Sequence, residues 1–277
     1  MARKLPEAGN RVSLLMQQIT SLQNPIIKET TALHQKKNRA ATGMFLIEGL
    51  KGVEEALSWG LEIKNIFIDR SSKINSLNLP EEKIYFVDEK ILKKISTTET
   101  PPEIVAVAYQ KKFVLEDLFK EKNPLIIVLE NIKDAGNLGT IIRTAKAANF
   151  SGIVLTGECI DIYNPKVVRS SAANLWKIPV VSFEKIENVR QEIEKYGHFQ
   201  FLATKVGDDK KQALYHEIDY KQPTAILFGS EAEGISDKLA NQADKFVKIP
   251  MNEEVESLNL SISAGIIMYE AFKQRLT

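Results

Sequence analysis

The stretch PLIIVLENIKDAGNLGTIIRTA, residues 124–145, decides the fold of this chain. Its apolar run at residues 124–129 is typical of a strand that is buried on both faces of a parallel sheet. A glycine-containing loop follows, and a helical pattern begins at about residue 138. The alternation continues, with strands expected at residues 152–155, 199–203, 224–228 and 246–249. Strands that alternate with helices predict an α/β fold with a parallel sheet covered on both faces.

The first part of the chain has a pattern of its own. We expect strands at residues 44–48, 63–68, 83–87 and 104–108, with helices at residues 49–59 and 88–95. Residues 111–122 are charged and carry few core residues, so they are the predicted linker. The predicted organisation is a small α/β domain at residues 1–110, the linker, and a larger α/β domain at residues 123–277.

Composition excludes several classes of protein. Hydrophobic residues make up 44% of the chain, which is enough for a full core. No run approaches the roughly 20 apolar residues that a membrane span needs, and the N-terminus lacks a secretion signal, so we expect a cytoplasmic protein. Cys159 is the single cysteine and cannot form an internal disulfide. With only three histidines besides, we expect no metal site.

The charge is unevenly distributed. The whole chain has a net charge of +1, yet residues 1–39 carry seven basic residues against two acidic ones. A basic end on an otherwise near-neutral protein suits contact with phosphates. An amphipathic helix with solvated lysines explains the same pattern equally well, so charge alone does not identify a partner.

The loop after residue 129 holds the first candidate catalytic residues. Gly136 and Gly139 remove Cβ atoms where a backbone or a ligand must approach closely. Asn137 is a candidate N-cap for the following helix. Arg143 should point along the crevice at the strand ends while its apolar neighbours face the core. The alternative is a capped helix with an ordinary surface arginine.

The second loop, GSEAEG at residues 229–234, looks like a glycine-rich phosphate cradle. However, Glu231 and Glu233 lie where diphosphate oxygens would lie, and like charges repel. A nucleotide-dependent Rossmann enzyme is also disfavoured because residues 130–139 lack the G-x-G-x-x-G spacing. A cationic ligand without phosphate fits better, and S-adenosylmethionine has both properties.

The third loop runs from residue 249 to residue 259 and opens the last helix. Pro250 stiffens the exit from the preceding strand. Ser257 and Asn259 can cap the helix or hold a substrate hydroxyl. We expect Ile262, Ile266, Ile267 and Ala271 on one side of that helix, against the sheet or a second subunit.

Taken together, the three loops resemble the three motifs of the SpoU, or TrmH-like, RNA ribose 2′-O-methyltransferases of the SPOUT class. The resemblance covers residues from about 124 to 275. The first part of the chain resembles the substrate-binding domain often found before this catalytic domain, which has a ribosomal protein L30e-like fold. Its marks include FLIEG at residues 45–49 and a basic cluster at residues 36–39. The resemblance implies a C-terminal trefoil knot, a homodimer, S-adenosylmethionine as cofactor and RNA as substrate.

The resemblance also implies roles for individual residues. The implied catalytic residue is Arg143, supported by Asn137, Glu233, Ser257 and Asn259. The implied cofactor-binding residues are Gly229, Ile249, Met251 and Leu258. The implied RNA-binding residues are Lys36, Lys37 and Arg39. Two positions depart from the family pattern, since Ala135 replaces a common proline and Glu253 a common glycine.

Three questions stay open at this level. Arg143 is either the general base or, because guanidinium stays protonated in proteins, a group that holds phosphate and stabilises developing charge. In the second case Glu233, or a water held by Ser257 and Asn259, takes the proton. The separate RNA-binding domain favours structured rRNA, most simply 23S-type rRNA, over tRNA. A non-catalytic RNA-binding protein with the same fold is the alternative, and Glu253 is the feature that leaves it open.

Overall fold

We describe the protein from a computed structural model that covers residues 17–72, 74, 81–204 and 212–276. The chain divides into two compact units, Met1–Gln110 and Lys111–Thr277, here called the N-terminal and C-terminal units. The basic residues Arg3, Lys4 and Arg11 lie outside the described residues. No helix of the described ranges is long and apolar enough to cross a membrane.

The N-terminal unit contains a five-stranded mixed sheet in the order β1-β4-β3-β5-β2. β5 runs antiparallel to both of its neighbours, and the other pairs are parallel. The strands are β1 (Gln17–Gln18), β2 (Met44–Glu48), β3 (Ile63–Asp69), β4 (Ile84–Val87) and β5 (Ile104–Tyr109). The helices are α1 (Pro25–Ala32), α2 (Lys36–Thr42), α3 (Leu50–Ser58) and α4 (Glu89–Ile95).

Helices cover both faces of this sheet because its strands bury side chains on both sides. Leu46, Phe67 and Val107 share one cluster with residues of α1 and α4. The next residue along β2, Ile47, points to the opposite face. There it meets α3 so closely that a Cβ on Gly52 would lie 3.0 Å from its Cγ2 atom. Thus α3 lies on the face opposite α1 and α4.

The C-terminal unit contains a seven-stranded sheet in the order β10-β12-β9-β11-β6-β7-β8, and every pair is parallel. The strands are β6 (Leu125–Glu130), β7 (Gly152–Thr156), β8 (Val180–Phe183), β9 (Gln200–Thr204), β10 (Gln212–Leu214), β11 (Thr224–Phe228) and β12 (Lys245–Lys248). The helices are α5 (Ala135–Ala147), α6 (Pro165–Ser170), α7 (Val189–Glu194), α8 (Asp237–Ala240) and α9 (Leu260–Leu276). The predicted α/β class with a parallel sheet is confirmed, and the trefoil knot stays a prediction.

The segment predicted as a linker contributes to the core of the C-terminal unit. Residues Leu115–Phe119 form a 3₁₀ helix in which Leu118 is fully buried. Phe119 stacks on Tyr196 with ring centroids 4.1 Å apart. This segment therefore contains a short amphipathic element that packs on the C-terminal unit.

Candidate functional site

The candidate site lies at the carboxyl edge of the parallel sheet of the C-terminal unit. β6, β11 and β12 each end at this edge, and the three loops singled out in the sequence follow them. Ligands of open parallel α/β sheets bind beyond this edge. Two side-chain hydrogen bonds join the three loops, and Asn137 takes part in both.

Asn137 lies in the first turn of α5 and not at its cap. The predicted cap was wrong, because α5 begins at Ala135 and Asp134 is the N-cap residue. The Asp134 Oδ1 atom accepts the Asn137 backbone N–H at 2.7 Å. Asn137 is therefore held by its backbone and is only 9% exposed, which leaves its side-chain amide to bind other loops.

Asn259 caps α9, and the cap fixes the direction of its amide group. Its Oδ1 atom accepts the Ser261 backbone N–H at 2.9 Å and the Ser261 hydroxyl at 2.6 Å. Because this oxygen is committed to the cap, the Asn259 Nδ2 group donates outward, to Asn137 Oδ1 at 3.0 Å. The predicted capping role of Asn259 is confirmed, and Ser261 is a partner that the sequence did not reveal.

Asn137 also contacts a carboxylate. Because the Asn137 oxygen accepts from Asn259, its Nδ2 group faces the other way and donates to Glu231 Oε1 at 3.1 Å. Glu233 was the carboxylate expected to support Arg143, and that role stays a prediction; the carboxylate that Asn137 contacts is Glu231. Glu233 is exposed, and its backbone N–H donates to Ser230 Oγ at 3.0 Å. The two acids are two residues apart, and only the fold distinguishes them.

The loop that carries Glu231 is a closed turn. Ser230 and Gly234 exchange two backbone hydrogen bonds, at 2.9 and 3.1 Å. Gly229 fits beneath this turn, where an added Cβ would lie 2.0 Å from the carbonyl of Gly234. The turn is also tied to the sheet, because Glu130 Oε2 accepts the Ser236 backbone N–H at 2.9 Å. Glu130 is 1% exposed and was missed because it ends an otherwise apolar strand.

Arg143 follows Asn137 on α5, and its apolar neighbours Ile141 and Ile142 are fully buried as predicted. Arg143 lies six positions after Asn137, which is about 9 Å along the helix axis. Its side chain is exposed and forms no hydrogen bond or ion pair with the part of the chain that the structure describes. The structure thus leaves Arg143 available to a ligand and does not join it to the Glu231–Asn137–Asn259 chain.

The residues expected to bind a cofactor lie along the same edge. Gly229 is buried, whereas Ile249, Met251 and Leu258 are half-buried. Ser257 is exposed, as are the four nearby carboxylates of Glu231, Glu253, Glu254 and Glu256. Half-buried apolar side chains beside carboxylates suit a ligand that has an apolar part and a positive charge and lacks phosphate.

The described residues contain no group of three histidine, cysteine, aspartate or glutamate residues that could hold a metal ion. Burial raises the pKa of the Cys159 thiol, whose Sγ donates to the Thr156 carbonyl at 3.2 Å. A thiol with a raised pKa is a poor nucleophile, which agrees with the interpretation of Cys159 as a structural residue.

Of the three residues expected to bind RNA, two are exposed and one is not. Lys36 and Lys37 are exposed in the first turn of α2. Arg39 is 2% exposed, and its Nη1 group donates to the carbonyls of Leu33 and His34 at 2.8 and 2.9 Å. The prediction that Arg39 contacts RNA is therefore wrong, because its guanidinium is buried and binds the turn between α1 and α2.

Comparison with known families identifies both units. Residues 124–269 match the SpoU rRNA methylase family. Residues 24–106 match the MRM3-like substrate-binding domain. The first match contains all three loops of the candidate site, and the second contains β2 to β4 and the first half of β5.

Individual relatives extend over nearly the whole chain. The protein is 32% identical over 254 residues to the Bacillus subtilis 23S rRNA (guanosine(2553)-2′-O)-methyltransferase RlmP, which covers 92% of this chain and 98% of the relative. It is 28% identical over 252 residues to the Streptomyces viridochromogenes 23S rRNA (uridine(2479)-2′-O)-methyltransferase, with 88% of both chains covered. A crystal structure of an AdoMet-bound rRNA methyltransferase from Sinorhizobium meliloti superposes with a TM-score of 0.82 at 32% identity, and covers 95% of this chain and 100% of the other.

Proposed function

We propose, from the premise that this chain belongs to the SpoU rRNA methylase family, that it methylates a ribose 2′-hydroxyl of 23S rRNA with S-adenosylmethionine. One observation carries the proposal. The three family motifs meet in a directed hydrogen-bond chain, Asn259 to Asn137 to Glu231, at the ligand-binding edge of the sheet. Two relatives named above carry out 2′-O-methylation of 23S rRNA. Ribosomal RNA as substrate also agrees with the expected cytoplasmic location.

The residues at this edge fit S-adenosylmethionine. Gly229, Ile249, Met251 and Leu258 would hold it, because half-buried apolar side chains suit an adenine and the exposed carboxylates suit a positive charge. When bound, it supplies an electrophilic methyl group. The exposed Glu253 adds negative charge to the surface of this loop, which opposes phosphate and does not oppose a cationic ligand.

The protein's own groups then position the nucleophile and remove its proton. Methyl transfer to the ribose 2′-oxygen would release S-adenosylhomocysteine, and it requires that a group of the protein remove the hydroxyl proton. Glu231 is our candidate acceptor, directly or through a water, because the Asn137 amide holds its carboxylate at 3.1 Å. We assign Arg143 the role of holding the neighbouring phosphate and stabilising developing negative charge. Ser257 is exposed in the third loop, and we assign it a contact with the ribose.

We also infer that a second copy of the chain covers one face of α9. Ile262 and Ile266 were expected on the same side as Ile267 and Ala271, but only Ile267 and Ala271 are buried. Ile262, Tyr269 and Leu276 are 54%, 51% and 70% exposed and recur at helical spacing. An exposed apolar stripe on a helix is typical of a subunit interface. A homodimer through α9 agrees with this pattern.

The test is methyl transfer from radiolabelled S-adenosylmethionine to unmodified 23S rRNA and, separately, to tRNA. We expect label in 23S rRNA at a 2′-oxygen, which resists alkaline cleavage of the chain. Label in tRNA alone would overturn the substrate class, and binding of RNA without transfer to either would favour the non-catalytic alternative.

Arg143→Ala tests the catalytic assignment. We expect kcat to fall by about 10²-fold or more, because removing one preorganised charge-stabilising donor typically costs about 10²–10³-fold. The affinity for S-adenosylmethionine and the unfolding midpoint should not change, since Arg143 is exposed and unpaired among the described residues. Lys221→Ala, which removes an exposed cation at the amino end of β11, is the matched control. Near-normal turnover of Arg143→Ala would refute the assignment.

A further inference from the structure

Glu130 is a buried acid to which the described residues offer a single partner. It is the last residue of β6 and is 1% exposed. Its Oε2 atom accepts the Ser236 backbone N–H at 2.9 Å. Its Oε1 atom is buried and has no hydrogen-bond partner among the described residues, and no cation of these residues forms an ion pair with Glu130. This part of the chain therefore satisfies only one oxygen of the carboxylate.

The surroundings of Glu130 are mainly apolar. Val128 lies two residues earlier on the same face of β6, in an apolar cluster that includes Leu239 of α8. The register partner of Glu130 on β7 is Thr156, which is also 1% exposed. The Thr156 Oγ1 atom likewise has no hydrogen-bond partner among the described residues. A neutral amide at position 130 could accept from Ser236 and also offer a donor to the neighbouring hydroxyl, so it suits this place better than a carboxylate does.

Stability of the fold does not explain a carboxylate at this position. Removing a charge from water without a paired cation is costly, and a well-packed neutral group is often as stable or more stable in its place. Buried polar atoms without partners are rare in folded proteins. Departures from these rules are expected at functional sites. The negative charge of Glu130 therefore indicates a role toward a ligand.

Two contacts place Glu130 beside the loop to which we assign the cofactor. The N–H that Glu130 accepts belongs to Ser236, which directly follows Ile235. An added Cβ on Gly229 would lie 2.1 Å from the Ile235 backbone nitrogen. Ile235 alone thus separates the hydrogen bond of Glu130 from the close contact of Gly229. Gly229 is one of the residues that would hold S-adenosylmethionine, so the buried charge lies next to the cofactor loop.

We propose that Glu130 is a specificity-determining residue whose buried negative charge selects S-adenosylmethionine over S-adenosylhomocysteine. This inference rests on the proposed function for the identity of the cofactor. The two molecules differ by one methyl group and by the positive charge of the sulfonium, which S-adenosylhomocysteine lacks. A buried charge is screened much less than the exposed carboxylates at the same edge. At an effective dielectric constant of about 20, opposite unit charges about 10 Å apart attract enough to change an affinity about tenfold. The neutral product is therefore held less tightly than the cofactor.

The test is calorimetry of the full chain with S-adenosylmethionine and, separately, with S-adenosylhomocysteine. Glu130→Gln removes the charge and keeps both the shape and an acceptor for the Ser236 N–H. We expect its affinity for S-adenosylmethionine to fall about tenfold, whereas its affinity for S-adenosylhomocysteine stays at the wild-type value. Its unfolding midpoint should be unchanged or higher. Glu130→Asp keeps the charge and shortens the reach to Ser236, so both affinities should fall by the same factor.

The matched control is Asp237→Asn, which removes the same charge from an exposed acid next to Ser236. We expect it to bind both compounds with wild-type affinity, because water and salt screen an exposed charge. An equal change of both affinities in Glu130→Gln, or a lower unfolding midpoint in that variant, would overturn the proposal, since a purely structural role gives either result. An equal loss of selectivity in the control would also overturn it. If the wild-type protein binds neither compound, the proposed function fails together with this inference. If it binds both and Glu130→Gln keeps the wild-type ratio of affinities, only this inference fails.

Discussion

Asn259→Asp separates the two tasks of Asn259, which caps α9 and orients Asn137. Aspartate caps a helix as well as asparagine does, so the bonds that Oδ1 accepts from Ser261 survive. The Nδ2 donor is lost, and the new carboxylate faces Asn137 Oδ1, formerly a partner at 3.0 Å. Asn137 cannot repair this by turning its amide, because its oxygen would then face the Glu231 carboxylate. One contact between two acceptors remains in either orientation.

The expected magnitudes differ for stability and for activity. Loss of a hydrogen bond with an acceptor left unsatisfied costs about 1–3 kcal/mol, and the solvent-accessible position of Asn259 favours the lower end. A negative charge at the start of α9 returns about 0.3–1 kcal/mol. We therefore expect a net loss of about 1 kcal/mol in the free energy of unfolding. Misplacing Glu231 by about 1 Å is enough to lower kcat by about 10²-fold.

Urea unfolding and single-turnover methylation at saturating RNA measure the two effects separately. Asn259→Ser is the matched variant, since serine also caps the helix but adds no charge while removing the same donor. We expect it to lose activity to a smaller extent, because Asn137 keeps its orientation toward Glu231. Asn259→Ala should lose both cap and donor. If Asn259→Asp retained wild-type kcat, the orientation of the amide chain would have no part in catalysis, and this reasoning would be refuted.

Three further predictions concern single positions. Gly229→Ala should abolish S-adenosylmethionine binding in calorimetry, because its Cβ would lie 2.0 Å from the Gly234 carbonyl and open the closed turn; wild-type affinity would contradict that geometry. Ala172→Gly should raise the free energy of unfolding by about 0.5–1 kcal/mol, because Ala172 is exposed and has a φ of 46°, which glycine adopts without strain. A lower free energy of unfolding in this variant would show that the turn is not strained. The Cys159 thiol, whose pKa burial raises, should react slowly with iodoacetamide at pH 8 until urea is added, and Cys159→Ser should keep full activity.

The fold was largely predictable because most strands of the C-terminal unit are long apolar runs between turn residues. The strand at Thr224–Phe228 was predicted to the residue, and that at Leu125–Glu130 to within one. β8 and β10 were missed, and they are the strands with four and three residues at the two edges of the sheet. α2 was missed because KKNRAAT has no apolar periodicity. Tertiary contacts decide such short elements, and local pattern does not.

The site was predictable as three loops and not as a set of contacts. Residue type and spacing identified Asn137, Glu231, Glu233 and Asn259 as polar residues at strand ends, but could not rank the two glutamates. That choice depends on the Ser230–Gly234 bridge, which closes the turn and sends one carboxylate toward Asn137. The expected RNA contact of Arg39 was wrong for a similar reason. The position of Arg39 after two lysines indicates an exposed residue, whereas the carbonyls of Leu33 and His34, which follow α1, accept its hydrogen bonds.

The chain of hydrogen bonds through Asn259 and Asn137 connects the start of the last helix to Glu231 at the carboxyl edge of the sheet. An asparagine amide can turn over without changing shape, so a chain of two such groups has no inherent polarity. Here the α9 cap fixes the Asn259 amide, because the Ser261 backbone N–H can only donate, and the Ser261 hydroxyl donates to the same Asn259 oxygen. Asn259 then donates to Asn137, and Asn137, which Glu231 also orients, donates to Glu231 at the other end. Ser261, in the first turn of the last helix, thus sets the direction in which Asn259 donates toward Asn137. Ser261→Ala should therefore weaken this polarity, and it should lower kcat more than it lowers the affinity for S-adenosylmethionine.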